Sequence, residues 1–351
     1  MSKLAIEIGY SNIRAAIAIG SDYQIVPLGL PGNPYLCPPV GIKTEDGYLF
    51  GAPAKLCVLS RPDTVAFLSD YVHPGMVDEE MMTAFLEFAK RKAGRIFGCA
   101  VGSISIVDTS AHPHSGTVTD FLKKCVERCG CGFQPVKSPL LSVLSGIANI
   151  RTGQKAIVVD LRNHPGVIVC GSCGTSGMEA SGYVSLRDFA LSDCENFIED
   201  KINSELNASF DAASGDITRE WIRGEMLQVF TQQALENLLA GCDFSLTLPF
   251  EAGTVKVSAG EFANWLSPKI DYVWKQLKTF ADAASFCLSD VSHVVLLGRV
   301  FQSAQARERL ALCMAEGGVK GEIIPMFRPI DEWSPCVSSL KTNINQSRYA
   351  L

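Results

Sequence analysis

Charge is scarce in this chain: only 19% of its 351 residues are Asp, Glu, Lys or Arg. The longest basic run, Lys90-Arg91-Lys92, falls on an expected helix, where such a run is a solvated face. Nothing supplies the clustered positive charge that nucleic acid requires, and the formal net charge is -6. Uninterrupted apolar stretches are short, and none reaches the length needed to span a bilayer. The N-terminus runs straight into a core strand, without the pattern of an export signal, so no membrane partner and a cytoplasmic location are expected. Long linkers and low-complexity tracts are also missing. Histidines number five; His112 and His114 flank Pro113 with no cysteine or carboxylate at ligand spacing, which reads as an exposed loop rather than a metal site.

Cysteine, by contrast, is plentiful at 13, and without an export signal these read as free thiols in a reducing compartment. Cys125, Cys129 and Cys131 form one local cluster, and Cys170-Gly171-Ser172-Cys173 a second. Zinc would need both clusters to converge. A thioredoxin-like role would place the pair at a helix start, where a thiolate is stabilised, whereas Cys170 ends an expected strand. Small apolar packing is the expected role, and no metal is assigned.

A pattern occurs twice. Leu4-Ala5-Ile6-Glu7-Ile8-Gly9 is an apolar strand carrying a carboxylate at its end, followed by the turn Tyr10-Ser11-Asn12 and the strand Ile13 to Ile19. Ala156-Ile157-Val158-Val159-Asp160-Leu161 repeats it, with the turn Arg162-Asn163-His164-Pro165-Gly166 and the strand Val167 to Cys170. A third buried strand, His293 to Leu297, stops at Gly298 before a helix expected over Gln302 to Ala315. Further expected elements are helices over Phe85 to Gly98, Thr117 to Cys129, Leu191 to Leu206 and Asp216 to Leu239. A strand is expected over Val101 to Val107, a hairpin over Phe244 to Phe250 and Thr254 to Val257, and two helices within Ala259 to Ala284.

With Gly47-Tyr48-Leu49-Phe50-Gly51-Ala52-Pro53-Ala54, Ser138-Pro139-Leu140 and Asp331-Glu332 added, these motifs resemble the nucleotide-binding domain of the DnaK-type heat-shock chaperones, within the actin, sugar kinase and chaperone superfamily. The resemblance implies an α/β, two-lobed actin-like ATPase fold, with ribonuclease H-like lobes around a central nucleotide cleft. Lobe I would run over 1–154 and be completed by 326–351; lobe II would occupy 155–325, with a mobile upper subdomain over about 189–285. ATP or ADP with Mg is the implied cofactor, weakly bound or lost. Glu7 and Asp160 are the retained carboxylates at catalytic positions. The implied nucleotide-binding positions are Gly9, Tyr10, Ser11, Asn12, Arg162, Asn163, His164, Gly298, Arg299 and Asp331.

Departures from the family pattern point to a degenerate site. The family's Asp-Leu-Gly-Thr-Thr is Glu7-Ile8-Gly9-Tyr10-Ser11 here. Its Asp-Leu-Gly-Gly-Gly-Thr is Asp160-Leu161-Arg162-Asn163-His164-Pro165, where bulky side chains replace glycines that admit phosphates and proline removes an amide donor. Ser138 stands where the family has a glutamate that holds metal-bound water, and Gln232-Gln233-Ala234-Leu235-Glu236 stands at the helix that clamps the nucleoside. Phosphoryl transfer depends on positioning and charge neutralisation, so hydrolysis is expected to be slow or absent.

After Asn345 to Leu351 the sequence shows no interdomain linker or peptide-binding module, so a complete chaperone cycle is not expected of it alone. The expected function is a degenerate ATPase acting as a regulatory or interaction module with a protein partner. A working ATP-binding protein of chaperone type with a separate partner chain is the alternative, and an actin-like filament subunit the second. Tyr71 to Met76 and the chain from Trp333 onward are candidate contact segments.

Overall fold

A computed structural model describes residues 1–9, 12–31, 34–35, 37–57, 65–73, 75–107, 116–136, 140, 143, 150–175, 177–209, 217–247, 254–326 and 340. The Ser138 motif and its neighbours except Leu140 and Val143, His112 and His114, the turn 251–253, and the expected helix from Asp331 except Leu340 lie outside the described residues. Elements of both kinds alternate, giving an α/β protein with mixed sheets. The described residues group into two compact units. The first holds Met1–Gly153, the segment Ser172–Ala180 and Leu340; the second holds Gln154–Gly171 and Ser181–Met326.

The first unit begins with β1 (Ser2–Ile8), β2 (Ile13–Ile19) and β3 (Asp22–Ile25). A small sheet follows, of β4 (Val40–Thr44), β5 (Gly47–Phe50) and β6 (Val65–Phe67), with α1 (Ala52–Cys57) between the last two. Then come α2 (Glu79–Phe97), β7 (Val101–Val107), α3 (Gly116–Arg128) and β8 (Gly132–Phe133). The main sheet has the order β3-β2-β1-β7-β8, antiparallel where hairpins join the strands and parallel from β1 to β8.

Strand alternation gives the sheet two different faces. Leu4, Ile6 and Ile8 join the large core formed with Phe85, Leu86 and Leu122 from α2 and α3. The other face is built from Ala5, Ala16, Ala18 and Val107, against which Leu340 packs. α2 starts earlier than the apolar spacing predicts. Asp78 caps it, its carboxylate accepting from the Met81 amide at 2.6 Å, and Glu79 and Glu80 complement the dipole. Gly98, at φ 63°, ends it.

The second unit repeats the plan. β9 (Lys155–Asp160), β10 (Gly166–Gly174) and β11 (Gly177–Leu186) precede α4 (Leu191–Ser209), α5 (Ile217–Leu239), β12 (Phe244–Thr247), β13 (Thr254–Val257) and α6 (Ala259–Ala283). β14 (Val291–Leu297), α7 (Ala304–Glu316) and β15 (Glu322–Met326) complete it. Its sheet order is β11-β10-β9-β14-β15, again parallel from β9 to β15. Both main sheets thus place the first strand of the hairpin at the centre. Ile157, Val159, Val294 and Leu296 face the core that α4 to α6 cover.

The segment expected to form two helices is one. Pro268 lies inside α6 yet does not break it, because Phe262, Leu266, Ile270, Val273, Leu277 and Ala281 form a continuous buried seam that outweighs the lost hydrogen bond. Ser267 donates to the Ala263 carbonyl at 2.9 Å, giving a carbonyl near the proline a partner. Tyr71, a candidate contact residue, is 3% exposed and sits in the first unit's core, on a 3-10 turn over Leu68–Val72; Met76 is exposed.

Seven of the twelve described cysteines are buried. Cys170 and Cys173 both lie in β10. Three residues apart on a strand, they point to opposite faces about 10 Å apart, too far for a disulfide. Cys129 faces the carbonyls of Cys125 and Thr83 at 3.2 and 3.4 Å, and Cys131 that of Val101 at 3.5 Å. No group of three metal-ligating side chains occurs among the described residues. Burial pushes the Cys37 and Cys170 thiols up to about 12, whereas Cys242 and Cys287 are exposed. At neutral pH a thiol reagent should therefore modify Cys242 and Cys287 first among the described cysteines, and Cys37 and Cys170 only on unfolding. Mass spectrometry of a labelling time course checks this, and early loss of the Cys170 thiol in folded protein would contradict it.

Candidate functional site

The two carboxylates singled out in the sequence occupy equivalent positions, each in its own unit. Glu7 lies at the end of β1 and is level with Val107, the last residue of the parallel strand β7. Asp160 ends β9 level with Leu297, the last residue of β14. Both side chains lie on the sheet face opposite the large core, and both are buried, at 0% and 2% exposure. A buried carboxylate needs compensating partners.

In the first unit the compensation comes across the hairpin. Arg14 on β2 is directly opposite Glu7, and its guanidinium lies 3.5 Å from the Glu7 carboxylate. Gly9 donates its amide to the Asn12 carbonyl at 3.1 Å, closing the turn. The Asn12 side chain turns to a neighbouring segment: its Oδ1 accepts from the Cys37 amide at 2.6 Å, and its Nδ2 donates to the Tyr35 carbonyl at 3.3 Å. Tyr10, Ser11 and Asp331 lie outside the described residues.

In the second unit the partner is local. Asp160 Oδ1 accepts from the Arg162 amide at 3.0 Å and from Arg162 Nε at 2.9 Å, and Oδ2 accepts from Nη2 at 2.7 Å. This is a bidentate guanidinium–carboxylate pair with an added backbone bond. The Arg162 stem lies over Gly298. A Cβ built there would be 3.2 Å from Arg162 Cγ and 3.3 Å from its backbone nitrogen, and Gly298 has φ 120°. Only glycine suits both the backbone angle and the close approach. The Gly298 amide donates to the Met326 carbonyl, and the Leu161 amide to that of Leu297, at 3.0 Å each. Asp160, Arg162 and Gly298 are thus gathered at the carboxyl ends of β9 and β14, the edge where open α/β sheets place their ligands.

Arg299 follows Gly298 but turns to α5. Nη1 donates to Gln232 Oε1 at 2.6 Å and Nη2 to Glu236 Oε1 at 3.2 Å. Because arginine only donates, the Gln232 oxygen must face it, which leaves Nε2 to donate to Glu195 Oε1 on α4 at 2.8 Å. The chain Arg299–Gln232–Glu195 thereby ties the turn after β14 to two helices. Asn163 is half-buried. His164 is exposed, in a cis peptide with Pro165, and its Nδ1 lies 3.9 Å from Asp193. Asp193 accepts from the Ala190 amide at 2.7 Å, which closes the first turn of α4.

Arg14, Glu195 and Asp193 escaped the sequence reading. Arg14 carried a usable signal, since a hairpin pairing Ile8 with Ile13 must pair Glu7 with Arg14. Glu195 carried none: it lies on a helix distant in sequence from Gln232.

Burial raises the Glu195 carboxyl above its usual range, while the Gln232 bond and the nearby Arg299 oppose the shift. A raised folded-state value means that the protonated form favours the fold, and that this contribution disappears as pH rises through the raised value. Glu195→Gln keeps an acceptor for Gln232 and removes the charge. It should stabilise the chain by about 1 kcal/mol or less, with the gain appearing above the ordinary carboxylate range and vanishing in acid. Thermal melts of both proteins from pH 4 to 8 measure the difference; a gain that is constant with pH would rule out Glu195 ionisation as its origin.

The donor set does not fit a magnesium-bound phosphate at Asp160, because both carboxylate oxygens already accept from Arg162. Of the implied nucleotide positions in the second unit, Arg162 and Arg299 hold protein partners rather than facing outward. Compared with known proteins, the chain matches no family model and no curated sequence.

Proposed function

We propose that this chain is a two-lobed, actin-like protein of the DnaK-type nucleotide-binding-domain kind whose phosphate machinery is degenerate, and that it acts as a regulatory or interaction module rather than as an ATPase. Two sheets of the same strand order, each with a buried acid at the end of its central strand, support the architecture. The observation that carries the loss of activity is the pairing of both acids with arginines from their own hairpins. A carboxylate neutralised in this way has little charge left with which to hold metal-bound water or a phosphate counter-ion.

The test is ATP turnover by the full chain with magnesium, followed as phosphate release, together with calorimetric titration of ATP and ADP with and without magnesium. Release at the buffer rate is expected. Steady turnover that disappears in both Asp160→Asn and Glu7→Gln would overturn the reading. Partner capture from the native source, followed by reconstitution with the purified partner at stoichiometric ratio, tests the interaction role.

A further inference from the structure

At Asp160 the geometry points to a built-in replacement for a divalent cation: Arg162 supplies, from within the chain, the positive charge that such a carboxylate takes from a metal ion in a nucleotide site. The inference rests on the proposed function, which is what makes a cation at that strand end the natural comparison. Of roughly four acceptor positions on a carboxylate, the Arg162 amide, Nε and Nη2 fill three. The pair is secluded, with side-chain exposures of 11% for Arg162 and 2% for Asp160.

A guanidinium is suited to the role because its charge is permanent and its fork matches a carboxylate, whereas a lysine would offer only a point charge. The surroundings are shaped to it. Gly298 leaves open the space that the Arg162 stem crosses, and the turn that carries Arg162 is tied to β14 through the Leu161 amide. A metal ion arriving at Asp160 would have to break both guanidinium bonds and leave a buried arginine without its carboxylate, which is strongly unfavourable. Glu7 differs in degree, since its Arg14 contact is longer, at 3.5 Å, and reaches across from the next strand.

The experiment is thermal unfolding of the full chain without nucleotide, titrated with MgCl2, MnCl2 or methylguanidinium chloride against KCl at matched ionic strength. Wild-type protein should show no shift beyond the KCl control. Arg162→Ala should melt lower by roughly 10 °C and regain part of that loss with Mn or methylguanidinium, and Asp160→Asn/Arg162→Ala should not respond. If Arg162→Ala fails to fold, Arg162→Gln retains the stem over Gly298 and takes its place in the same titrations.

A divalent-specific stabilisation of wild type that Asp160→Asn removes would overturn the inference, because the carboxylate would then still take a metal. A folded Arg162 variant that responds to no cation would also overturn it. Failure of the proposed function shows separately, as ATP turnover, since these titrations contain no nucleotide.

Discussion

Asp160→Ala should destabilise the second unit by about 3–5 kcal/mol, because it takes from the Arg162 guanidinium, whose side chain is only 11% exposed, the carboxylate that accepts its hydrogen bonds. The loss exceeds that of a surface ion pair, for which about 1 kcal/mol is the upper range. Asp160→Asn should cost less, since an amide oxygen at the Oδ1 position still accepts two of the three hydrogen bonds. Urea unfolding measures all three proteins. The double variant Asp160→Ala/Arg162→Met should recover much of the loss, because removing both charges takes away the stranded cation. Equal stability of wild type and Asp160→Ala would mean that the pair contributes nothing, and the account of the site would fail.

Gly298→Val should be comparably damaging, by about 2–4 kcal/mol, for two separable reasons. A side chain at φ 120° and ψ 157° occupies a backbone region that is essentially reserved for glycine. Its Cβ also meets the Arg162 stem and the 161–162 backbone within 3.4 Å. Adding Arg162→Ala should relieve only the crowding with the stem and leave the backbone cost. The stability difference between Gly298→Val and wild type should therefore be larger than that between Gly298→Val/Arg162→Ala and Arg162→Ala. Equal differences would show that the Arg162 stem and Gly298 do not compete for space.

Much of the fold was legible because its central strands are dense in β-branched residues. β2 and β7 begin and end where the apolar runs predict, and β9 and β14 lie within a residue or two of their expected bounds. The strands that were missed, β3, β4, β6, β8, β11 and β15, are short or mix polar residues, glycine or proline with apolar ones, so periodicity gave them no outline. The early start of α2 was encoded in Asp78-Glu79-Glu80-Met81, a capping signal that apolar spacing does not detect. α6 departs in the other direction: one helix runs through Pro268 where two were expected, because a local rule yields to packing along its whole length.

The candidate site divides in the same way. The Asp160–Arg162 pair spans two residues and the Glu7–Arg14 pair one hairpin, so both follow from local geometry once the turns are placed. The contact from Arg299 to Gln232 bridges 67 positions and exists only because β14 returns beside β9 while α5 packs near it. No local pattern announces such a contact. Of the residues assigned to a nucleotide in the sequence reading, Arg162 pairs with Asp160 and Arg299 with Gln232 and Glu236, and only the Arg299 contacts need the folded arrangement to be seen.

The first unit draws Ser172–Ala180 from a region of sequence that otherwise builds the second. During synthesis this β10–β11 contribution emerges only after β9 has been made, whereas every strand of the first unit's main sheet has by then been synthesised. Each central strand meets a hairpin partner at once, but β1 must find β7 and β9 must find β14 across long intervening segments, whose loop-closure entropy delays pairing. A chain cut after Gly153 keeps all five strands of the first unit's main sheet and loses Ser172–Ala180 and Leu340 from that unit.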